Sequence, residues 1–247
     1  MTTQARLPFH APVPRPERLT RLSGVAAAVL FLAVDAIAPN PPMHGGTDAA
    51  VLAHFRAHHA DSMRGAFVAM LGLAALLVFT AAVLRGAARA RRRIGAEPGV
   101  AAVLTPLVAA VTVGLLMVSQ AGAAATANVG QHTTDVGLLR AMDDIGHMAA
   151  HLAVFPFGLF TLATGLALRE ARFGARWVAS LGAGVGTAML LSGLWVAVGG
   201  QTVHNLGALT WLATFLWLAA QSVALGLADR APRGRVAPAS IGVPVAA

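Results

Sequence analysis

From Gly65 to Leu84 the chain carries no charged residue, and the run is bounded on both sides by arginine, Arg64 and Arg85. A helix needs about 20 apolar residues to cross the hydrocarbon core of a bilayer. Stretches of this kind recur at approximately 22–38, 65–84, 100–119, 145–168, 177–198 and 206–227. The last two share one charge-free run between Arg176 and Asp229, broken by turn chemistry at Gly199-Gly200-Gln201. Long continuous runs predict helices, because barrel strands alternate at every second residue. Charged residues make up only 11% of the chain, against about 25% in soluble domains. The expected fold is all-α: a polytopic membrane helical bundle with six transmembrane helices.

The 18 basic residues are all arginine, set against 10 acidic ones. Their placement predicts orientation, since positive charge is retained on the cytoplasmic side. Arg6, Arg15, Arg18 and Arg21 precede the first run, and Arg85, Arg89, Arg91, Arg92 and Arg93 follow the second. Arg169, Arg172 and Arg176 join the fourth to the fifth, and Arg230, Arg233 and Arg235 close the chain. The alternate loops hold Arg56, Arg64 and Arg140 alone. Both termini are therefore expected in the cytoplasm, in a bacterial plasma membrane. The arginines then read as topology anchors against lipid, not as a nucleic-acid surface. Residues 1–20 and 229–247, rich in Pro and Arg, are expected to be disordered tails around a transmembrane domain at 21–228. The first run lacks a small-residue cleavage site, which predicts a retained helix.

What the chain lacks limits its chemistry. It has no Cys, which excludes disulfides, Fe–S clusters, thiolate metal sites and covalent haem. It has no Lys, which excludes a retinal or pyridoxal phosphate Schiff base. A bis-imidazole haem needs histidines at equal depth on facing helices, and only the fourth run has a deep one. Imidazole and carboxylate remain.

In the predicted topology those groups gather on the outer side. The first outer segment opens on Pro41-Pro42 and Gly45-Gly46, followed by Thr47 as a helix cap. A short interfacial helix is expected over about 47–62, with Val51, Leu52 and Phe55 on its apolar face and His54, His58 and Asp61 beside them. At the fourth span Asp144, His147 and His151 share one helical face, with Arg140 one turn earlier. Imidazoles at i and i+4 with a carboxylate on the same face suit a divalent transition metal such as Fe, Cu or Zn. Candidate metal ligands are His54, His58, Asp61, Asp144, His147 and His151. Without a metal, His151, Asp144 and His147 could do acid–base work, His151 being the deepest in the membrane. Asp35 could approach from the first helix, and Gln120, Asn128 and Gln131 could line a polar cavity. The bland account is that His and Asp supply the polarity of loops from which arginine is excluded.

His54-x3-His58-His59 partly resembles the histidine boxes of membrane di-iron desaturases, which have three boxes facing the cytoplasm. The more extensive resemblance rests on Met142-Asp143-Asp144-Ile145-Gly146, Phe155-Pro156-Phe157-Gly158-Leu159-Phe160, Arg176-Trp177-Val178-Ala179-Ser180-Leu181-Gly182 and Phe215-Leu216-Trp217-Leu218. In these the chain resembles a broad, uncharacterised family of bacterial, especially actinobacterial, six-helix membrane proteins. The resemblance spans most of residues 20–228; it implies the six-helix architecture and no mechanism. Gly182, Gly184, Gly186 and Gly193 form a small-residue seam that predicts close packing of the fifth helix, within one chain or across a homo-oligomer. Pro106 and Pro156 are expected to kink their helices.

Two functions are compatible with this pattern. One is a membrane-embedded enzyme, metal-dependent or acid–base, acting on a lipophilic small molecule in an outward-opening pocket where the His and Asp residues converge. The other is a non-catalytic membrane protein: a small transporter, an export or immunity accessory, or a subunit of a membrane complex.

Overall fold

The structure, a computed structural model, describes residues 22–43, 45–196 and 201–228. Among these there are six α-helices and no strand: α1 (Ser23–Ile37), α2 (Asp48–Arg93), α3 (Val100–Gly130), α4 (Val136–Glu170), α5 (Arg176–Val196) and α6 (Gln201–Ala228). The tails expected to be disordered lie outside the described residues.

Five helices, α2 to α6, are long and apolar enough to cross a membrane, as in a multi-pass membrane protein. The shorter α1 has 15 residues, a rise of only about 22 Å against a hydrocarbon core of about 30 Å. Its end is dictated by proline. Pro39 disfavours helical backbone at Ala38, which turns extended (φ −111°, ψ 102°) while its N–H still closes on the Val34 carbonyl.

The interfacial helix and the second span form one 46-residue helix, α2, interrupted at His58 (φ −115°, ψ 16°). The Ser62 hydroxyl donates to the His58 carbonyl at 3.1 Å across this break. Thr47 caps the N-terminus, accepting from the Ala50 N–H. The two helices α3 and α4 extend well beyond the apolar runs, and both continue through their prolines, Pro106 and Pro156. Beyond its apolar run α3 continues through Ala, Gly and Thr, and this small-residue end packs on the start of α4.

Each helix packs against its neighbours in chain order, α6 returns to α1, and α4, the most buried of the five long helices, also touches α2. Small residues set the closest approaches. A Cβ on Gly122 would meet the Gly146 Cα at 3.1 Å where α3 crosses α4. Where α4 crosses α5, a Cβ on Gly186 would lie 2.4 Å from the Leu162 nitrogen. Gly182, one turn earlier on α5, makes room for the Trp217 indole of α6. The Trp217 Nε1–H donates to the Val178 carbonyl at 2.9 Å, so the buried ring leaves no polar atom unpaired. Gly182 and Gly186 thus serve packing within one chain, whereas Gly184 faces open space.

Phe79, Leu76, Phe157, Phe160, Leu168, Met189, Trp217 and Leu218 fill the main core. The perimeter is also apolar: Val103, Leu104, Leu107, Val111 and Val118 are exposed along one side of α3. Such a continuous apolar face is untenable in water and suits lipid. At the arginine-rich end, Arg91 bonds Glu170 and the Glu97 carbonyl, and the Phe173 ring lies over Gly86 of α2. These contacts tie the α4–α5 loop to the foot of α2.

Candidate functional site

The opposite end carries the described histidines. There the first turns of α2, Asp48 to Ala57, form an arm laid across the ends of α3 and α4. Met43, Val51 and Phe55 are buried against Ala127, Val136 and Leu139 in a second small core, with Leu52 partly buried beside it. Gly130 admits the Phe55 side chain, whose Cβ would lie 2.7 Å from any Cβ placed there. Polar contacts reinforce the dock. Arg140 of α4 donates through Nη2 to the Gly46 carbonyl at 3.0 Å and faces the Asp48 carboxylate at 3.0 Å. The His59 Nδ1–H donates to the Ala127 carbonyl at 3.2 Å; a carbonyl only accepts, so this nitrogen carries the proton.

On the arm, the His54 and His58 rings lie 4.9 Å apart between centroids, tilted by 43°. The buried His54 Nε2 has no hydrogen-bond partner. Burial holds the His54 imidazole below its ordinary pKa, and the neighbouring His58 pushes the same way, against an opposing effect of the Pro39 carbonyl. Asp61 is nearer to Arg64 (2.8 Å) than to the His58 Nδ1 (3.5 Å). Its Oδ1 therefore serves arginine, while Oδ2 keeps the longer approach to His58.

On α4 the pairing departs from the expected face. His147 Nδ1 lies 3.1 Å from the Asp143 carboxylate and 3.3 Å from the Asp143 carbonyl. Asp143 is buried, while Asp144 and His151 are on the exposed side of the helix. A sequence signal for this exists: Leu139, Asp143, Gly146, Ala149 and Ala153 recur at helical spacing and are all buried. Asp143 sits on the small-residue stripe that faces α3, which the reading from Asp144 passes over.

The six candidate ligands thus fall into two groups, His54/His58/Asp61 on the first part of α2 and Asp144/His147/His151 on α4. Among the described residues no three His, Cys, Asp or Glu are placed to hold a metal ion. Asp35, Asn128, Gln131 and His132 are exposed and Gln120 is half-buried. His10, His44 and the His204 side chain lie outside the described residues. A groove of about 640 Å³ opens where α1 ends, lined by Ile37, Asp61, Met63, Arg64, Phe67 and Val68. Of the candidate residues only Asp61 reaches it.

Chemically, this end offers an Asp143–His147 ion pair, a longer Asp61–His58 one, and a set of contacts that fasten the arm. In comparisons with known proteins, no family model, no curated protein and no solved structure matches the chain.

Proposed function

We propose that the chain is a non-catalytic integral protein of a bacterial plasma membrane, an accessory or subunit of a membrane complex that presents a folded cap on the outer face. In this reading all six helices span and both termini are cytoplasmic. The observation that carries it is the double contact of Arg140 with Gly46 and Asp48. Together with His59 on Ala127, it shows polar residues of this end used to fasten the arm. The arginine asymmetry supports the orientation, and the resemblance to bacterial six-helix membrane proteins supports the compartment.

The absence of cysteine permits a clean topology test. Gln131→Cys is expected to react with a membrane-impermeant maleimide in intact cells, and Glu97→Cys only after lysis. The reverse pattern would overturn the orientation. In a deletion strain, His147→Ala should restore the wild-type phenotype whenever its membrane level matches wild type.

One observation favours a second reading, a membrane-embedded enzyme acting on a lipophilic small molecule. The Asp143 carbonyl accepts from the Nδ1–H of an exposed imidazole and the buried carboxylate lies within ion-pair distance of the same nitrogen, leaving Nε2 as the nitrogen available for proton transfer. Failure of His147→Ala and of Asp143→Asn to complement at normal protein levels would select this reading.

A further inference from the structure

We propose that the groove at the end of α1 holds one phospholipid with a zwitterionic primary-amine headgroup, of the phosphatidylethanolamine class. The inference rests on the proposed reading of the chain as an integral membrane protein with this end of the bundle at a membrane interface.

The groove exists because α1 stops at Ile37 while α2 continues beside it. Gly65 of α2 packs on Ala38, where a Cβ would come within 2.6 Å, so the end of α1 is fixed at the level of residue 65. Arg64 is the last charge before the apolar run to Leu84. The lining therefore divides at the membrane surface. Asp61 and Arg64 lie on the polar side, and Phe67 (64% exposed) and Val68 follow into the apolar run. An acyl chain fills such a slot at no cost in exposed apolar surface, whereas water would leave the Ile37, Met63, Phe67 and Val68 side chains hydrated.

The charges select the headgroup. Arg64 is 69% exposed and spends one nitrogen on Asp61. Its guanidinium has five donors, which leaves several for a phosphate. Asp61 accepts from Arg64 through Oδ1, and its Oδ2 stands 3.5 Å from His58, leaving acceptor capacity for an ammonium group. The pair is neutral overall and matches a neutral headgroup with both charges. An anionic lipid without an amine would set its phosphate beside Asp61 uncompensated, and a quaternary amine could not donate to the carboxylate.

The test is native mass spectrometry of the delipidated full-length chain in detergent, with phosphatidylethanolamine, phosphatidylcholine and phosphatidylglycerol of matched acyl chains in equal amounts. Preferential retention of one phosphatidylethanolamine is expected. Arg64→Gln should reduce it roughly tenfold, the effect of losing one charge-assisted contact. Asp61→Asn should abolish the preference for phosphatidylethanolamine over phosphatidylcholine, and Arg56→Gln should change nothing. Equal retention of the three lipids by the wild type, or undiminished retention by Arg64→Gln, overturns the proposal. Should Arg64→Gln fail to fold, Asp61→Asn beside wild type decides by the phosphatidylethanolamine to phosphatidylcholine ratio. The lipid preference is read in detergent without reference to sidedness. Failure of the maleimide test would therefore remove the orientation alone, and failure here would remove the site alone.

Discussion

Asp143 and His147 face each other one turn apart on α4, Oδ2 to Nδ1 at 3.1 Å, with the carboxylate side chain 10% exposed and the imidazole 56%. Truncating the imidazole leaves the buried carboxylate without its counter-charge. His147→Ala should cost about 1 kcal/mol, whereas His132→Ala, in an exposed turn, should stay within about 0.5 kcal/mol. Adding Asp143→Asn to His147→Ala should recover most of the loss, because a neutral amide is cheaper to bury. Thermal unfolding of the four proteins in one detergent checks this. Equal midpoints for His147→Ala and His132→Ala would contradict the structural role.

Arg140 fastens the arm by two contacts of unequal worth. Asp48 is 70% exposed, so its ion pair is screened by water. The Gly46 carbonyl is held in a part-buried contact. Asp48→Asn should therefore change stability by less than about 0.5 kcal/mol, and Arg140→Ala should cost about 1–3 kcal/mol, since it removes the charged donor. Hydrogen exchange localises the effect: in Arg140→Ala the amides of residues 48–57 should exchange faster while those of the main core keep their protection.

The arm should also respond to acid. In the folded protein the pKa of His54 lies below the ordinary value, first because the ring is buried and then because of His58. The unfolded arm therefore binds the proton more readily, and this contribution to stability rises with pH. It is fully present above the unfolded value of about 6.5 and is lost as pH falls through that value toward the folded one. Arm amides should lose protection between about pH 7.5 and about pH 5.5, and His54→Gln should flatten the dependence. A wild-type arm equally protected at both would refute the assignment.

Two glycines on α5 should give opposite results. A Cβ on Gly186 meets backbone atoms, the Leu162 nitrogen at 2.4 Å and the Gly158 oxygen at 2.7 Å, which cannot yield without separating α4 from α5. Gly186→Ala should cost about 1–3 kcal/mol or more. Gly184 has nothing within 4 Å, so Gly184→Ala should be neutral or gain up to about 1 kcal/mol from helix propensity. Fluorescence-detected size exclusion after a heat challenge distinguishes the two.

The apolar runs were sufficient to place the helices, because a segment without charge can enter lipid only with its backbone bonds closed within itself. Their ends were less legible. The break at His58 and the extension of α3 to Gly130 arise where residues of moderate polarity become helical by packing on neighbours. The arm itself was readable from Thr47, Val51, Leu52 and Phe55, a cap followed by an apolar stripe.

The His147 pairing was readable only as two alternatives, the spacings Asp143-x3-His147 and Asp144-x2-His147 both suiting one helical face. Asp143 and Asp144 are adjacent and chemically identical, and a local pattern at i+3 and i+7 points to Asp144. Asp143 and His147 meet at i,i+4 within one helix, and the packing of α3 on α4, through Gly122 and Gly146, decides that Asp143 is the buried one of the two aspartates. Residue types alone dictate a chain built for lipid, with most of its arginines toward one end and imidazole and carboxylate toward the other, because the cost of moving charge and apolar surface out of water depends on residue type. Packing settled which of those groups are buried and which residues of different helices meet, as Arg140 meets Asp48 and His59 meets Ala127, because rotation about each helix axis is set by neighbouring helices.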